Sequence, residues 1–183
     1  MKTYLYRLWR KILRLLIAIR GDRYGLMRWD VLIKIIQDNH YTKIAEIGVD
    51  KGETTKHILK NCKLDSYYLI DPIFSDSARK IIRKPAVFLQ MKSEEAVKQF
   101  LDESLDLVFI DADHSYEEVK KDIEFWLPKI RKGGVLTGHD YDYPRHPDVK
   151  KAVDEVLGRV DTVIIEYKRG TNRHNNLFYY KKS

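Results

Sequence analysis

From residue 42 onward, short runs rich in β-branched residues alternate with stretches whose apolar positions recur every three or four residues. That alternation predicts parallel strands joined by crossover helices. Strands are expected at Lys43–Ile47, Tyr67–Asp71, Val87–Met91, Leu107–Asp111, Val135–His139, Thr162–Tyr167 and Leu177–Lys181. Together they give an α/β fold: a doubly wound, seven-stranded, mostly parallel sheet. Lys168–Asn176, between the last two strands, is polar and too short for a crossover helix. Those strands should therefore form an antiparallel hairpin at one edge.

Among the helices, Ser115–Arg131 places Tyr116, Val119, Ile123, Trp126, Leu127 and Ile130 on one face, which should lie against the sheet. Ser93-Glu94-Glu95-Ala96 reads as a helix start with Ser93 as N-cap and acids in the first turn. Leu26–Ile36 repeats Trp29, Leu32, Ile33 and Ile36, a further amphipathic helix ahead of the first strand. No repeat or linker divides the chain. Residues 41–183 read as one domain, with the helices of 1–40 part of it or appended to it.

Charge is unevenly distributed. The chain carries 34 Lys and Arg against 27 Asp and Glu, but residues 1–28 hold eight of those bases and one of the acids, leaving 26 of each elsewhere. The body is neutral, so a nucleic-acid groove spread over it is disfavoured. On a helical wheel Leu5, Leu8, Trp9, Ile12, Leu16 and Ile19 share one face, and Arg7, Arg10, Lys11 and Arg14 lie opposite. Such a basic amphipathic helix packs its apolar face on the domain or across a homodimer, or lies on an anionic membrane surface. The apolar run at 12–19 is far short of the roughly 20 residues that span a bilayer. The lone Cys62 excludes an internal disulfide framework, and no small-residue cleavage site follows the apolar run. The expected location is the cytoplasm, peripheral to the membrane if the arm docks there.

In doubly wound sheets ligands sit at the carboxyl ends of the strands, so chemistry is sought in the turns that follow them. The first strand leads into Glu46-Ile47-Gly48-Val49-Asp50-Lys51-Gly52, where two glycines allow close backbone approach. The second ends at Asp71, an acid placed to accept from two ribose hydroxyls. A dinucleotide fingerprint would need glycines where Asp50 and Glu53 stand, and acids there repel a pyrophosphate. An adenosine cofactor without phosphate fits both features. With no ligand, the same glycines read as a tight strand-to-helix turn and Asp71 as the cap of the turn at Pro72.

EIGVDKG, the terminal Asp71, and the stretch LDLVFIDADHSYEEVKKDIEFWLPKIRKGGVLTGHDY resemble the class I S-adenosylmethionine-dependent methyltransferases. More narrowly, they are similar to small O-methyltransferase-like proteins with FIDxDHSY and GHDY strand ends. The resemblance runs from about residue 42 onward. It implies S-adenosylmethionine as cofactor, with Glu46, Gly48 and Gly52 along its methionine part, Asp71 on the ribose and Met91, Lys92 and Ser93 around the adenine. Asp111 is expected to border the cofactor as well.

Methyl transfer requires an acceptor oxygen held in line and relieved of its proton. The fourth strand ends Asp111-Ala112-Asp113-His114 and the fifth His139-Asp140, side by side in this fold. Asp111, His139 and Asp140 are candidate ligands of a divalent metal ion, and His114, of a residue type that titrates near neutrality, is the candidate base. Read structurally, His114 caps the helix after it and His139 is a buried donor. Tyr141, Tyr143, Arg145 and His146 are expected to shape the acceptor pocket or to form an ordinary surface loop. The related metal-dependent enzymes carry an acid pair where His139-Asp140 stands, and the catechol-type ones a lysine at His114. The expected acceptor is a hydroxyl of a small molecule or glycan. The alternatives are an N- or RNA-directed methyltransferase, or a membrane- or RNA-docked protein with a vestigial pocket.

Overall fold

The computed structural model describes residues 26–81, 83–165 and 175–183. The basic arm, apart from its last residues 26–28, and most of the polar connection before the final strand lie outside these described residues. In chain order the elements are α1 (Arg28–Asp38), β1 (Lys43–Ile47), α2 (Glu53–Asn61), β2 (Ser66–Ile70), α3 (Asp76–Ile81), β3 (Ala86–Leu89), α4 (Ser93–Ala96), β4 (Leu105–Ile110), α5 (Tyr116–Trp126), β5 (Ile130–Gly138), α6 (Pro147–Leu157), β6 (Asp161–Ile165) and β7 (Asn175–Lys181).

The strands form one sheet in the order β3-β2-β1-β4-β5-β7-β6. β1 to β5 are mutually parallel, and β7 runs antiparallel to both β5 and β6. The expected hairpin is present, with β6 outermost and β7 against β5. Strand order reverses between β1 and β4, which opens a crevice at their carboxyl ends.

Apolar side chains on the two faces of the sheet make two cores. Val31, Leu32, Ile35 and Ile36 of α1, Ile58 of α2 and Ala78 of α3 cover one face, over Ile44, Leu69, Leu107 and Val135. Ala96, Val119, Ile123, Trp126, Ala152 and Val153 cover the other, over Ala45, Ile70, Val108 and Leu136. Parallel strands buried on both faces read as continuous apolar runs, which Leu107-Val108-Phe109-Ile110 illustrates. In α1 the buried stripe is centred on Val31 and Ile35, while Trp29 stacks on His57 of α2 with ring centroids 4.4 Å apart.

Two helix expectations need correction. The helix expected to reach Arg131 stops at Trp126, because Pro128 has no N–H to donate; a 3₁₀ turn, Leu127–Lys129, follows, and Ile130 already belongs to β5. Ser93 is not an N-cap. Lys92 holds that position, and the Ser93 hydroxyl turns inward to Asp122 and Trp126.

Candidate active site

The residues that follow β1, β2, β4 and β5 are each pinned by their own amide to the end of the neighbouring strand. Gly48 N–H donates to Ile70 O (2.9 Å), Asp71 N–H to Leu89 O (3.3 Å), Asp111 N–H to Ile47 O (2.8 Å) and His139 N–H to Ile110 O (3.0 Å). The ladder thus continues one residue beyond the strands and aims four functional positions at one edge. Asp140, next in line, has φ +56°, a left-handed backbone uncommon for residues with a Cβ. Strain of that kind collects where a side chain must be aimed.

A cavity of about 700 Å³ opens at the switch point. Gly48, Asp71, Lys92, Ser93 and Asp111, all expected at the cofactor, line it, together with Asp122 and Phe125 of α5. Gly48 has φ +86°, and a Cβ there would overlap the Asp111 carbonyl oxygen. The room left by this glycine is taken by the chain's own β4 turn, which draws the loops after β1 and β4 together.

Glu46, Gly52 and Met91 are not among the lining residues. Glu46 is buried beneath α2, accepting from Thr55 Oγ1 at 2.7 Å and from the Tyr67 hydroxyl. Burial pushes its carboxyl up to about 7, against the lowering effect of those two hydrogen bonds. At Gly52, φ +76°, the absent side chain makes room for Ile81 of α3, the Cδ1 of which would lie 2.5 Å from a Cβ. Met91 packs against the α5 side of the core.

Asp71 fastens the glycine loop. Its Oδ2 accepts from the amides of Val49 (2.9 Å) and Asp50 (3.2 Å), and its Oδ1 from Ile73 (2.8 Å). It caps the turn at Pro72 and also faces the cavity.

Asp122 was not singled out in the sequence. It interrupts the apolar stripe of α5 at helical spacing from Val119 and Trp126, which is the one signal it leaves. Its carboxylate accepts from the Ser93 hydroxyl, which in turn accepts from Trp126 Nε1 at 2.8 Å. Burial pushes its carboxyl up to about 6.

Beside the cavity the ends of β4 and β5 bring Asp111, His114, His139 and Asp140 together; of the four, Asp111 alone lines it. Asp140 Oδ2 faces His114 Nε2 at 2.8 Å and His139 Nδ1 at 2.9 Å. Burial works against ionisation of Asp140, yet the hydrogen bonds of the two imidazoles outweigh it and hold the carboxyl below its usual range. Asp111 moves the other way: burial raises it, opposed by His139 and Arg28. The His146 ring stacks on His114 with centroids 3.9 Å apart, and Tyr143 tilts against His146 at 5.6 Å. Tyr141 instead turns into the core and donates to Asp154 at 2.7 Å.

Sequence reasoning also missed Arg28, the first residue of α1. Its Nε donates to Thr54 Oγ1 at 3.1 Å and stands 3.6 Å from Asp111 Oδ2, and Nη1 is 3.3 Å from His139 Nε2. This bears on the expected metal ligands. One donor atom each from Asp111, His139 and Asp140 lie within 4.8 Å of one another, so spacing alone suits a divalent ion. The donors as arranged do not, since His139 is engaged at both nitrogens and a guanidinium stands against Asp111.

A doubly wound sheet with its cavity at the β1/β4 switch point and acids after β2 and β4 defines the Rossmann-like methyltransferase fold. The chain belongs to the methyltransferase-domain family, which residues 45–141, more than half of its length, match. It is 27% identical over 131 residues to an uncharacterised protein of Acanthamoeba polyphaga mimivirus, covering 63% of this chain and 59% of that one. Among solved structures it is similar to the O-methyltransferase TomG of Streptomyces achromogenes, involved in tomaymycin synthesis and solved in complex with SAM (TM-score 0.68, 15% identity, 85% of this chain and 80% of that one). It is also similar to the Bacillus cereus O-methyltransferase in complex with SAH (TM-score 0.62, 16% identity, 93% and 90%). Spermidine synthase from Thermotoga maritima shares the fold (TM-score 0.65, 17% identity, 87% of this chain and 61% of that one). The chain thus spans about three fifths of the mimivirus protein and of the synthase.

Proposed function

We propose that the chain is an S-adenosylmethionine-dependent methyltransferase acting on a hydroxyl of a small molecule or glycan, with His114 as the base. The observation that carries this reading is the pair His114 Nε2 and Asp140 Oδ2 at 2.8 Å, beside the crevice that Gly48, Asp71 and Asp111 line.

Bound in the crevice, the cofactor supplies a methyl group on a sulfonium, which needs no activation beyond alignment. Everything else falls to the side chains. Asp71, already an acceptor for three amides, presents its carboxylate where ribose hydroxyls would donate. Lys92 and Ser93 border the adenine end and Asp111 the methionine end. Because Asp140 is a carboxylate acceptor, the His114 proton resides on Nε2 and the lone pair of Nδ1 is the basic site. With the cofactor bound, the acceptor oxygen would take the methyl group with the carbon–sulfur bonding pair left on sulfur, and His114 Nδ1 would take the hydroxyl proton. The resulting imidazolium is stabilised by Asp140. The charge pattern of residues 1–28 supports contact with an anionic membrane surface, the body remaining in the cytoplasm.

The test has two stages. Thermal stabilisation by S-adenosylhomocysteine and by NAD is compared first, and stabilisation by NAD alone overturns the cofactor assignment. Transfer from methyl-labelled S-adenosylmethionine to a panel of hydroxyl-, amine- and RNA-bearing acceptors then identifies the acceptor class. Label confined to amines or RNA overturns the oxygen-directed reading.

A further inference from the structure

Arg28 enters the site from α1, outside the family-matched residues 45–141. Arginine has only donors, so its 3.3 Å contact with His139 Nε2 is a hydrogen bond only when that nitrogen offers its lone pair. The proton of His139 then sits on Nδ1, which faces Asp140 Oδ2 at 2.9 Å. Both contacts agree on one neutral tautomer. A metal ligand needs an imidazole lone pair directed at the ion. Here the Nε2 lone pair is directed at a guanidinium, which keeps its charge at every accessible pH.

The charges reach the same result. Asp111 and Asp140 are the carboxylates that would draw a divalent ion to this end of the sheet. Asp111 already has Arg28 at 3.6 Å, and Asp140 has an N–H from each of two imidazoles. An ion bound between them would stand a few ångströms from the guanidinium and be repelled by it. Thr54 Oγ1, accepting at 3.1 Å from the first turn of α2, anchors Arg28 in this position.

We propose that Arg28 is the resident cation of this site: its guanidinium occupies the place of a divalent ion beside Asp111, fixes His139 as the Nδ1–H tautomer, and keeps a divalent ion out of the Asp111–His139–Asp140 cluster. Arg28 is thus a positioning residue. The inference rests on the methyl-transfer reading for the step it serves, but the binding and tautomer that test it do not depend on turnover.

The full chain is titrated with manganese chloride, followed by water-proton relaxation, in the wild type and in the Asp111→Asn, Arg28→Met and Arg28→Lys variants. The His139 ring nitrogens are read by long-range proton–nitrogen correlation. The wild type is expected to show Nδ1 protonated, Nε2 bare and no saturable manganese binding that Asp111→Asn removes. Arg28→Met should gain manganese affinity by about tenfold or more, which Arg28→Lys should not. Saturable wild-type binding lost in Asp111→Asn, a proton on Nε2 of His139, or no gain in a folded Arg28→Met overturns the proposal. If Arg28→Met fails to fold, the wild-type titration and spectrum decide alone. Stabilisation by S-adenosylhomocysteine, measured on the same samples, separates failure of this inference from failure of the cofactor reading.

Discussion

His114 and Asp140 meet across the ends of two adjacent strands, Nε2 to Oδ2 at 2.8 Å, although 26 residues separate them. The same oxygen holds His139, so one carboxylate orients both imidazoles. Removing His114, the proposed base, should lower turnover by about a hundredfold or more, and Asp140→Asn should do comparable damage by releasing the tautomer. Cofactor affinity should be nearly unchanged in His114→Ala. Steady-state kinetics on the acceptor found by the labelling screen, set beside calorimetric cofactor binding, checks this; full turnover in His114→Ala removes it from the mechanism.

Asp71 fastens the glycine loop and is proposed to hold the ribose, and the two roles separate experimentally. Asp71→Ala leaves the amides of Val49, Asp50 and Ile73 without their acceptor, which should cost roughly 1–3 kcal/mol before any ligand is added. It should also weaken S-adenosylhomocysteine binding by about tenfold or more if the carboxylate holds the ribose. Urea unfolding of the free protein reads the first effect and calorimetry the second. Unchanged affinity would confine Asp71 to the loop.

Glu46 gives the protein a pH-dependent stability. Its folded-state pKa, pushed up from 4.5 to about 7, means that folding takes up a proton. The contribution is whole below about pH 4.5 and declines as pH rises to about 7, by at most roughly 3 kcal/mol. Asp122, pushed up to about 6, acts in the same direction over a lower window. Urea unfolding from pH 4.5 to 8 should therefore show a falling limb that Glu46→Gln flattens. An unchanged slope in the variant would assign the effect elsewhere.

At Gly48 the expected loss is structural. A Cβ would collide with the Asp111 carbonyl at a positive φ. Gly48→Ala should cost roughly 2 kcal/mol or more and displace the β4 turn, lowering cofactor affinity. Thermal unfolding and a cofactor titration would reveal it, and wild-type values in both would show that the loops do not need this approach.

The basic arm offers a measurement independent of chemistry. The 183-residue chain should co-sediment with phosphatidylserine vesicles at low salt and release as ionic strength rises. Replacing Arg7, Arg10, Lys11 and Arg14 by Gln should abolish the binding. Retention at high salt would point to apolar packing instead.

The sheet was legible because burial on both faces makes each parallel strand an apolar run, and the residue after it is then a candidate for function. Asp71, Asp111, His139 and Asp140 were found that way. What escaped was contact between elements distant in sequence. Arg28 looks like one more base in a basic arm, and only folding sets it beside Asp111, 83 positions later. Asp122 broke the periodicity of its helix, a readable sign passed over because the apolar stripe around it dominated. Glu46 was placed at the cofactor by resemblance, while the alternation of β1 points it to the opposite face from Ala45 and Ile47, under α2.

The last strand in chain order, β7, fills the open side of β5. Thr137 Oγ1 bonds Phe178 O at 2.6 Å, the Tyr141 amide bonds Asn176 O at 3.1 Å, and the Phe178 ring occupies the space beside Gly138. During synthesis on the ribosome, β5 has only β4 for a partner until residues 175–181 have emerged. His139 and Asp140 at its tip therefore gain the support of a second neighbouring strand only after the glycine loop and the end of β4 have already been made.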